Sequence, residues 1–260
     1  MEHLALGLMW LLGTVASVSP VVKKVSIMEK ALDMAPNSFD DQYLGCSEMM
    51  EKELQELNRT EFEINSIYAE AWKKAITELQ GSRLPSSVLK PVQAIALLAY
   101  TVESLPLEQK FNEAVLEAGR SHEQYLEYFH FKVMHFLLTQ AIGVLWHSQP
   151  RRCYDVYTVD KNLIYTAQPE EIVRFGKFAG FTLNKESVDR FGDGTFFSVR
   201  TCYGVPIRDV LEQLSGDGVL IPPFETFEVT NVTREGNSAR IELQSQGVHS
   251  KYNCEFVKGK

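Results

Sequence analysis

Phe196–Val229, FFSVRTCYGVPIRDVLEQLSGDGVLIPPFETFEV, is the stretch from which the rest of the chain is read. Phe196, Phe197, Val199 and Thr201 suit a pleated, half-buried surface and predict a strand. Cys202 stands at its end, and Gly204 and Pro206 punctuate a turn. Gly216-Asp217-Gly218 marks a second, looser turn. The apolar run Val219–Ile221 follows, Pro222-Pro223 stops it, and Phe224–Val229 resumes as a strand. Two strands thus flank a glycine-rich loop able to form one wall of a cleft.

Strand-like patterning extends from Cys153 onward. Val156–Val159, Leu163–Tyr165, Phe175–Leu183, Thr195–Cys202, Val219–Ile221, Thr226–Val232 and Ala239–Leu243 are strand candidates, and Tyr252–Val257 closes the chain. Before Cys153 the period is helical. Apolar residues over Met49–Leu79 recur mostly at helical spacing, which predicts two helices broken near Asn58–Thr60. Gly81–Ser87 reads as a loop. Ala94–Thr101 is apolar throughout and fits a buried strand or a helix equally. Gln109–Arg120 predicts a helix capped by Gly119, and Tyr125–Leu145 a longer one. Helices first and strands second imply an α+β fold, a helical half packed on an antiparallel or mixed β core, rather than a doubly wound one.

A net charge of −8 and a pI near 5.4 argue against general binding to phosphate backbones, so no nucleic-acid partner is expected. Leu4–Val18 is apolar, too short for a membrane span of ~20 residues, and has small residues near its end at Ala16-Ser17. The expected division is a signal peptide over 1–18 and one domain over 19–260; the alternative for the apolar run is a buried N-terminal helix. The end of the chain, Glu255–Lys260, lacks a hydrophobic tail, so neither a transmembrane segment nor a lipid-anchor signal is expected. Cys46, Cys153, Cys202 and Cys254 suit an oxidising compartment, with three pairings open. Asn58-Arg59-Thr60 and Asn231-Val232-Thr233 are glycosylation sequons. His130 and His135 are five apart and His147 lies beyond; this is not the i, i+4 spacing of a zinc pair, and no metal is expected.

Thr201-Cys202-Tyr203-Gly204-Val205-Pro206-Ile207, a short spacer and Val219–Glu225 resemble the vertebrate arginine-specific mono-ADP-ribosyltransferases, secreted or membrane-anchored enzymes that use NAD. Ala99-Tyr100-Thr101 matches a further family signature, on what the resemblance implies is a strand. The likeness runs from about Leu32 to Phe256. It implies the ADP-ribosyltransferase fold and the bridges Cys46–Cys254 and Cys153–Cys202. The first would close nearly the whole chain into a loop, worth roughly 4–5 kcal/mol on a chain-entropy argument.

The family's chemistry breaks the nicotinamide–ribose bond through an oxocarbenium-like state. A cation grips the pyrophosphate, hydroxyls orient the ribose, and a carboxylate stabilises the developing charge. Where the resemblance implies arginine, this chain carries Thr158; Gly180 and Thr182 stand at the two serines of a Ser-x-Ser strand. Gly216-Asp217-Gly218 stands at Glu-x-Glu, with the essential glutamate falling on Gly218. A threonine hydroxyl carries no charge and cannot grip a phosphate bidentately. Asp217 is the nearby carboxylate that glycines on both sides leave room to swing. Tyr100, Gln168 and Thr182 are candidate NAD contacts, and Arg174 is a candidate for a displaced phosphate contact. Glu225 and Glu228 read as structural or exposed. The leading expectation is a secreted homologue without transferase activity that keeps an NAD-shaped cleft or binds an extracellular protein. The alternative is an active or weakly active transferase or NAD glycohydrolase with displaced catalytic residues.

Overall fold

Residues 28–80, 88–102, 104–150, 152–188, 192–207 and 216–258 are described by the structure, a computed structural model. The expected signal peptide and the Gly81–Ser87 loop lie outside the described residues.

Chain breaks in the helical half are set by side chains that cap, not by weak formers. α1 (Ser47–Ile64) runs straight through Asn58–Thr60 and ends at Asn65. The Thr60 hydroxyl bonds back to the Glu56 carbonyl, and Arg59 pairs with Glu56 and Glu63, so the predicted break is absorbed by the helix. Asn65 instead caps α2 (Ser66–Gln80): its Oδ1 accepts from the Tyr68 amide at 3.1 Å and its Nδ2 donates to the His130 carbonyl at 3.2 Å. Asn58 therefore sits inside α1, its Oδ1 accepting from the Tyr68 hydroxyl at 2.9 Å, whereas Asn231 is exposed on a strand.

Ala94–Thr101 contributes to a helix, not a strand: α3 is Pro91–Tyr100, with proline at its start and alanines within. It is buried on almost every side, which removes the stripe that would have announced it. α4 is Leu107–Ala118, with Gly119 at its C-cap. The single long helix expected from Tyr125 is two pieces, a π-helical turn (Gln124–Tyr128) and α5 (Lys132–Ser148). The restart is made by Glu61 of α1, whose carboxylate accepts from the amides of Lys132 at 2.6 Å and Val133 at 3.2 Å.

β1 (Met28–Ala31) pairs in parallel with β3 (Leu163–Thr166). The larger sheet holds β2 (Tyr154–Asp160), β4 (Ile172–Val173), β5 (Ala179–Thr182), β6 (Gly194–Thr201), β7 (Val205–Pro206), β8 (Gly218–Ile221), β9 (Glu225–Glu235) and β10 (Ser238–Val248). Its order is β4-β9-β10-β6-β2-β5-β8-β7, antiparallel except for β10 against β6. The expected α+β architecture is what the chain adopts. Of Phe175–Leu183 only the second half is strand. Phe175–Phe178 is a loop, held where Asn112 of α4 clasps both the amide and the carbonyl of Phe178. Gly176 lies at φ +63°, and a Cβ there would stand 2.3 Å from that of Ala35.

Two apolar layers result. One packs Phe39, Tyr68, Phe111, Tyr125, Phe129 and Phe136 among the helices. The other lies on the sheet, around Val156, Phe197, Phe227 and Ile241. Both implied bridges are present, Cys46–Cys254 and Cys153–Cys202. Tyr252–Val257 is a run of turns, held by the Asp41 carboxylate, which accepts from the amides of Cys254 and Glu255.

Candidate active site

Thr158 is carried by β2, Gly180 and Thr182 by β5, and Gly218 by β8. Strand pairing fixes their neighbourhood. Tyr157 pairs with Thr182, and Thr182 pairs directly with Gly218. Gly180 and Thr182, two apart, present the same side of β5. These residues, far apart in sequence, converge on one cleft of two adjoining lobes of about 410 and 400 Å³. Both lobes are walled by Glu108, Thr158, Gly180 and Phe181. The first adds Asp160, Lys161, Tyr165 and Lys177; the second adds Tyr100, Tyr157, Thr182, Ile207 and Gly218.

Tyr100 reaches this cleft from the end of α3 but is already engaged. Its hydroxyl donates to the Phe178 carbonyl at 2.7 Å and lies 3.3 Å from Glu108 Oε1, and Asn112 donates to it at 3.1 Å. Burial, reinforced by Glu108, pushes its phenol well above the usual tyrosine range. The Thr182 hydroxyl accepts from the Asn184 amide at 3.1 Å, shaping the turn after β5. Gly218 leaves open space: a Cβ there would make ordinary contact with Ile207 at 3.4 Å, and one at Gly180 would meet nothing within 4 Å. Gly216 is exposed at φ +154°.

Several sequence candidates lie elsewhere. Asp217 stands outside the cleft lining; its carbonyl accepts from Leu183 at 2.8 Å, tying β8 to the turn after β5. Gln168 is exposed beside a separate hollow, its amide donating to Glu171. Arg174 is buried and occupied. Its guanidinium donates to the carbonyls of Met34, Ala35 and His249 and to the buried Asp40 carboxylate, so it does not face the cleft as a displaced phosphate contact. Glu228 accepts from Gln246 on the surface. Glu225 is fully buried and accepts from the Thr201 hydroxyl, the Cys202 and Tyr203 amides and the Ser245 hydroxyl. Desolvation raises its carboxyl above the usual range, against the pull of those donors.

The histidines are structural or solvated. His135 is buried between the Tyr43 hydroxyl, 2.8 Å from Nδ1, and the Phe39 carbonyl, 3.0 Å from Nε2, and burial lowers it to about 3. His147 bonds to the Gly143 carbonyl of its own helix, and partial burial lowers His130. Among the described residues, no group of His, Cys, Asp or Glu is arranged to hold a metal ion.

Charged groups that no local motif announced do line the cleft. Glu108 opens α4, some fifty residues before Thr158, and borders both lobes. Lys161 and Lys177 border the first lobe with Asp160, whose carboxylate is spent on the amides of Asn162 and Leu163. A lysine is a point charge able to attract a phosphate without the fork of an arginine. Nothing in the spacing of Glu108 or Lys177 marks them; α4 and the Phe175–Phe178 loop are brought together by the clasp of Asn112 on Phe178.

The family model described as NAD:arginine ADP-ribosyltransferase matches residues 32–251. The chain is 50% identical over 262 residues to the erythroblast NAD(P)(+)--arginine ADP-ribosyltransferase of Gallus gallus, covering 99% of this chain and 87% of that one. It is 44% identical over 249 residues to the GPI-linked NAD(P)(+)--arginine ADP-ribosyltransferase 1 of Homo sapiens, covering 89% and 76%. The crystal structure of a mutant of the eukaryotic mono-ADP-ribosyltransferase ART2.2 in complex with NADH superposes with a TM-score of 0.69 at 32% identity, covering 86% of this chain and 98% of that one. Another ART2.2 mutant, in complex with NAD, gives 0.68. This chain belongs to the NAD:arginine ADP-ribosyltransferase family.

Proposed function

We propose that this protein keeps the family's dinucleotide cleft but not its transfer chemistry, and acts outside the cell as a binding protein. The carrying observation is the pairing of Gly218 with Thr182 inside the cleft, with hydrogen where the resemblance puts the essential glutamate. Losing one electrostatic stabiliser typically costs ~10²–10³ in rate. Here Thr158 and Gly180 give up charge and a hydroxyl at the same site. Lys161 and Lys177 supply positive charge in the first lobe for a pyrophosphate, while Tyr100 and Thr182 border the second, where a nicotinamide ribose would lie. The two bridges suit secretion after removal of residues 1–18, and exposed Asn231 is the better glycan acceptor, since Asn58 is bonded within a helix.

One observation favours a second reading, weak NAD glycohydrolysis: Glu108 borders both lobes and is a better-placed carboxylate than Asp217. Calorimetric titration of NAD onto the purified protein, with chromatography of released nicotinamide in the presence of an arginine analogue, separates the readings. The expected result is saturable binding, weakened in Lys177→Ala, with no nicotinamide above a no-protein control. Release that disappears in Glu108→Gln would establish the second reading. Absence of binding would remove the dinucleotide from both.

A further inference from the structure

Two lysines border the first lobe of the cleft, and they are held differently. Lys161 is exposed in the turn between β2 and β3. Lys177 is half-buried, and both of its chain neighbours are pinned. On one side, the Gly176 carbonyl accepts from the hydroxyl of Ser38, which is fully buried. Gly176 makes that approach at φ +63°, with Ala35 where a Cβ would stand. On the other side, Asn112 of α4 accepts from the Phe178 amide at 3.1 Å and donates to the Phe178 carbonyl at 2.9 Å. The Tyr100 hydroxyl, at the end of α3, donates to the same carbonyl at 2.7 Å and accepts from Asn112 at 3.1 Å. The Phe178 side chain is fully buried, with its ring against those of Phe111 and His135.

None of these three anchors borders the first lobe. Tyr100 borders the second, with its hydroxyl already spent, and Ser38 and Asn112 border neither. The charged residue between their two points of attachment is Lys177. An ammonium is a compact charge on a flexible stem, and part of its attraction for an anion is lost in ordering it. A backbone fixed on both sides of the residue removes some of that cost before the anion arrives.

We infer, on the basis of the dinucleotide cleft proposed above, that Lys177 is the charge that locates the diphosphate in the first lobe. Ser38, Asn112 and Tyr100 are positioning residues that act on it through Gly176 and Phe178. Lys161 supplies long-range attraction only. Tyr100 thus serves the diphosphate from the other lobe without touching it.

Inorganic pyrophosphate is the probe, titrated onto the purified full chain by calorimetry at low ionic strength. Lys177→Ala should weaken it by roughly tenfold or more, the worth of a charged contact. Tyr100→Phe and Ser38→Ala each remove one hydroxyl. Each should weaken pyrophosphate by about 2- to 10-fold, the ordering cost of one long side chain. In the Lys177→Ala background neither should weaken it further, since both act through that residue. Ser38→Ala also separates this effect from release of Glu108, which lies 3.3 Å from the Tyr100 hydroxyl. Lys161→Ala should weaken pyrophosphate less than Lys177→Ala does, and its deficit should vanish at high salt. A purely structural role would lower the melting temperature and leave pyrophosphate affinity alone. Either hydroxyl variant carries the test if the other folds poorly. Undiminished binding in a folded Tyr100→Phe or Ser38→Ala, or equal losses with and without Lys177, would overturn the inference. So would a parent that does not bind pyrophosphate, even if it binds NAD. Binding of pyrophosphate without NAD would uphold it and remove the dinucleotide reading.

Discussion

The corner at Thr201–Gly204, on β6, β9 and β10, and the cleft, on β2, β5 and β8, share one sheet but treat polar groups in opposite ways. At the corner, one buried carboxylate, Glu225, gathers four donors, and the Gly204 amide completes the set by donating to the Thr201 hydroxyl at 2.9 Å. In the cleft, the strand positions that the resemblance marks for charge and hydroxyls are Thr158, Gly180 and Gly218. The difference separates two kinds of constraint. A buried network must be complete to be tolerated, whereas a solvent-lined cleft can lose its polar side chains with little cost to the fold.

Breaking the corner should have the largest effect. Glu225→Ala strands two hydroxyls and two amides without their acceptor, one buried and three partly buried; a fully buried donor left unpaired costs about 1–3 kcal/mol. Urea unfolding should show a loss of at least about 3 kcal/mol, or no folded protein. A loss under about 1 kcal/mol would mean that water replaces the carboxylate and that the two regions do not differ in kind.

Glu61 extends the contrast to the helical half. Burial raises its carboxyl to about 7, against the amides of Lys132 and Val133. The folded state therefore holds a proton that the unfolded chain releases, and the resulting stability is present below about pH 4.5 and lost as pH rises through about 7. His135, lowered to about 3, acts in the other sense: stability falls as pH drops below 6.5. Subtracting the curve of Glu61→Gln from that of the parent isolates the first effect. The parent should lose roughly 2–3 kcal/mol relative to the variant between pH 4.5 and 7. A flat difference would place Glu61 in a wetter site than its 3% exposure implies.

The smallest effects on stability belong to the cleft. Gly180→Ser and Gly218→Glu should each change stability by no more than about 0.5 kcal/mol, since neither Cβ meets a clash. Gly216→Glu, at φ +154°, should cost about 1 kcal/mol or more. Combined with Thr158→Arg and Thr182→Ser, these changes should yield NAD cleavage above the parent, read as nicotinamide release. A folded quintuple variant that neither binds nor cleaves NAD would show that the cleft differs by more than these side chains.

The sheet was legible because β6, β8 and β9 carry short runs of β-branched, aromatic and apolar residues between turn residues, and because the Cys202–Glu225 stretch is specific enough to point to a family. α3 was not, since burial on nearly every side erases helical period and leaves strand and helix equally apolar. The break at Phe129 was missed for a related reason: the start of α5 depends on Glu61, distant in the chain. Asn65 did carry a local signal, a capping residue three before the Tyr68 amide it accepts from, but the polar run Asn58–Thr60 drew the expected break instead. At the site, the positions that the resemblance marked, Thr158, Gly180, Thr182 and Gly218, lie on β2, β5 and β8 around one cleft. Arg174 and Gln168 did not reach it. Glu108 and Lys177 entered it from α4 and the Phe175–Phe178 loop, whose placement only the tertiary packing through Asn112 decides.

The Cys46–Cys254 bridge spans 208 residues of sequence, from the start of α1 to beyond β10. Tension applied to the chain on either side of that bridge travels through one covalent path and bypasses everything between. The helices and the larger sheet then carry no load, and the bridged region behaves under pull as a short inextensible link. Reduction converts the same stretch into a spring of roughly 700 Å contour length at ~3.4 Å per residue. The thiol balance of the surroundings therefore sets not only stability but whether a tug on this protein is transmitted or absorbed.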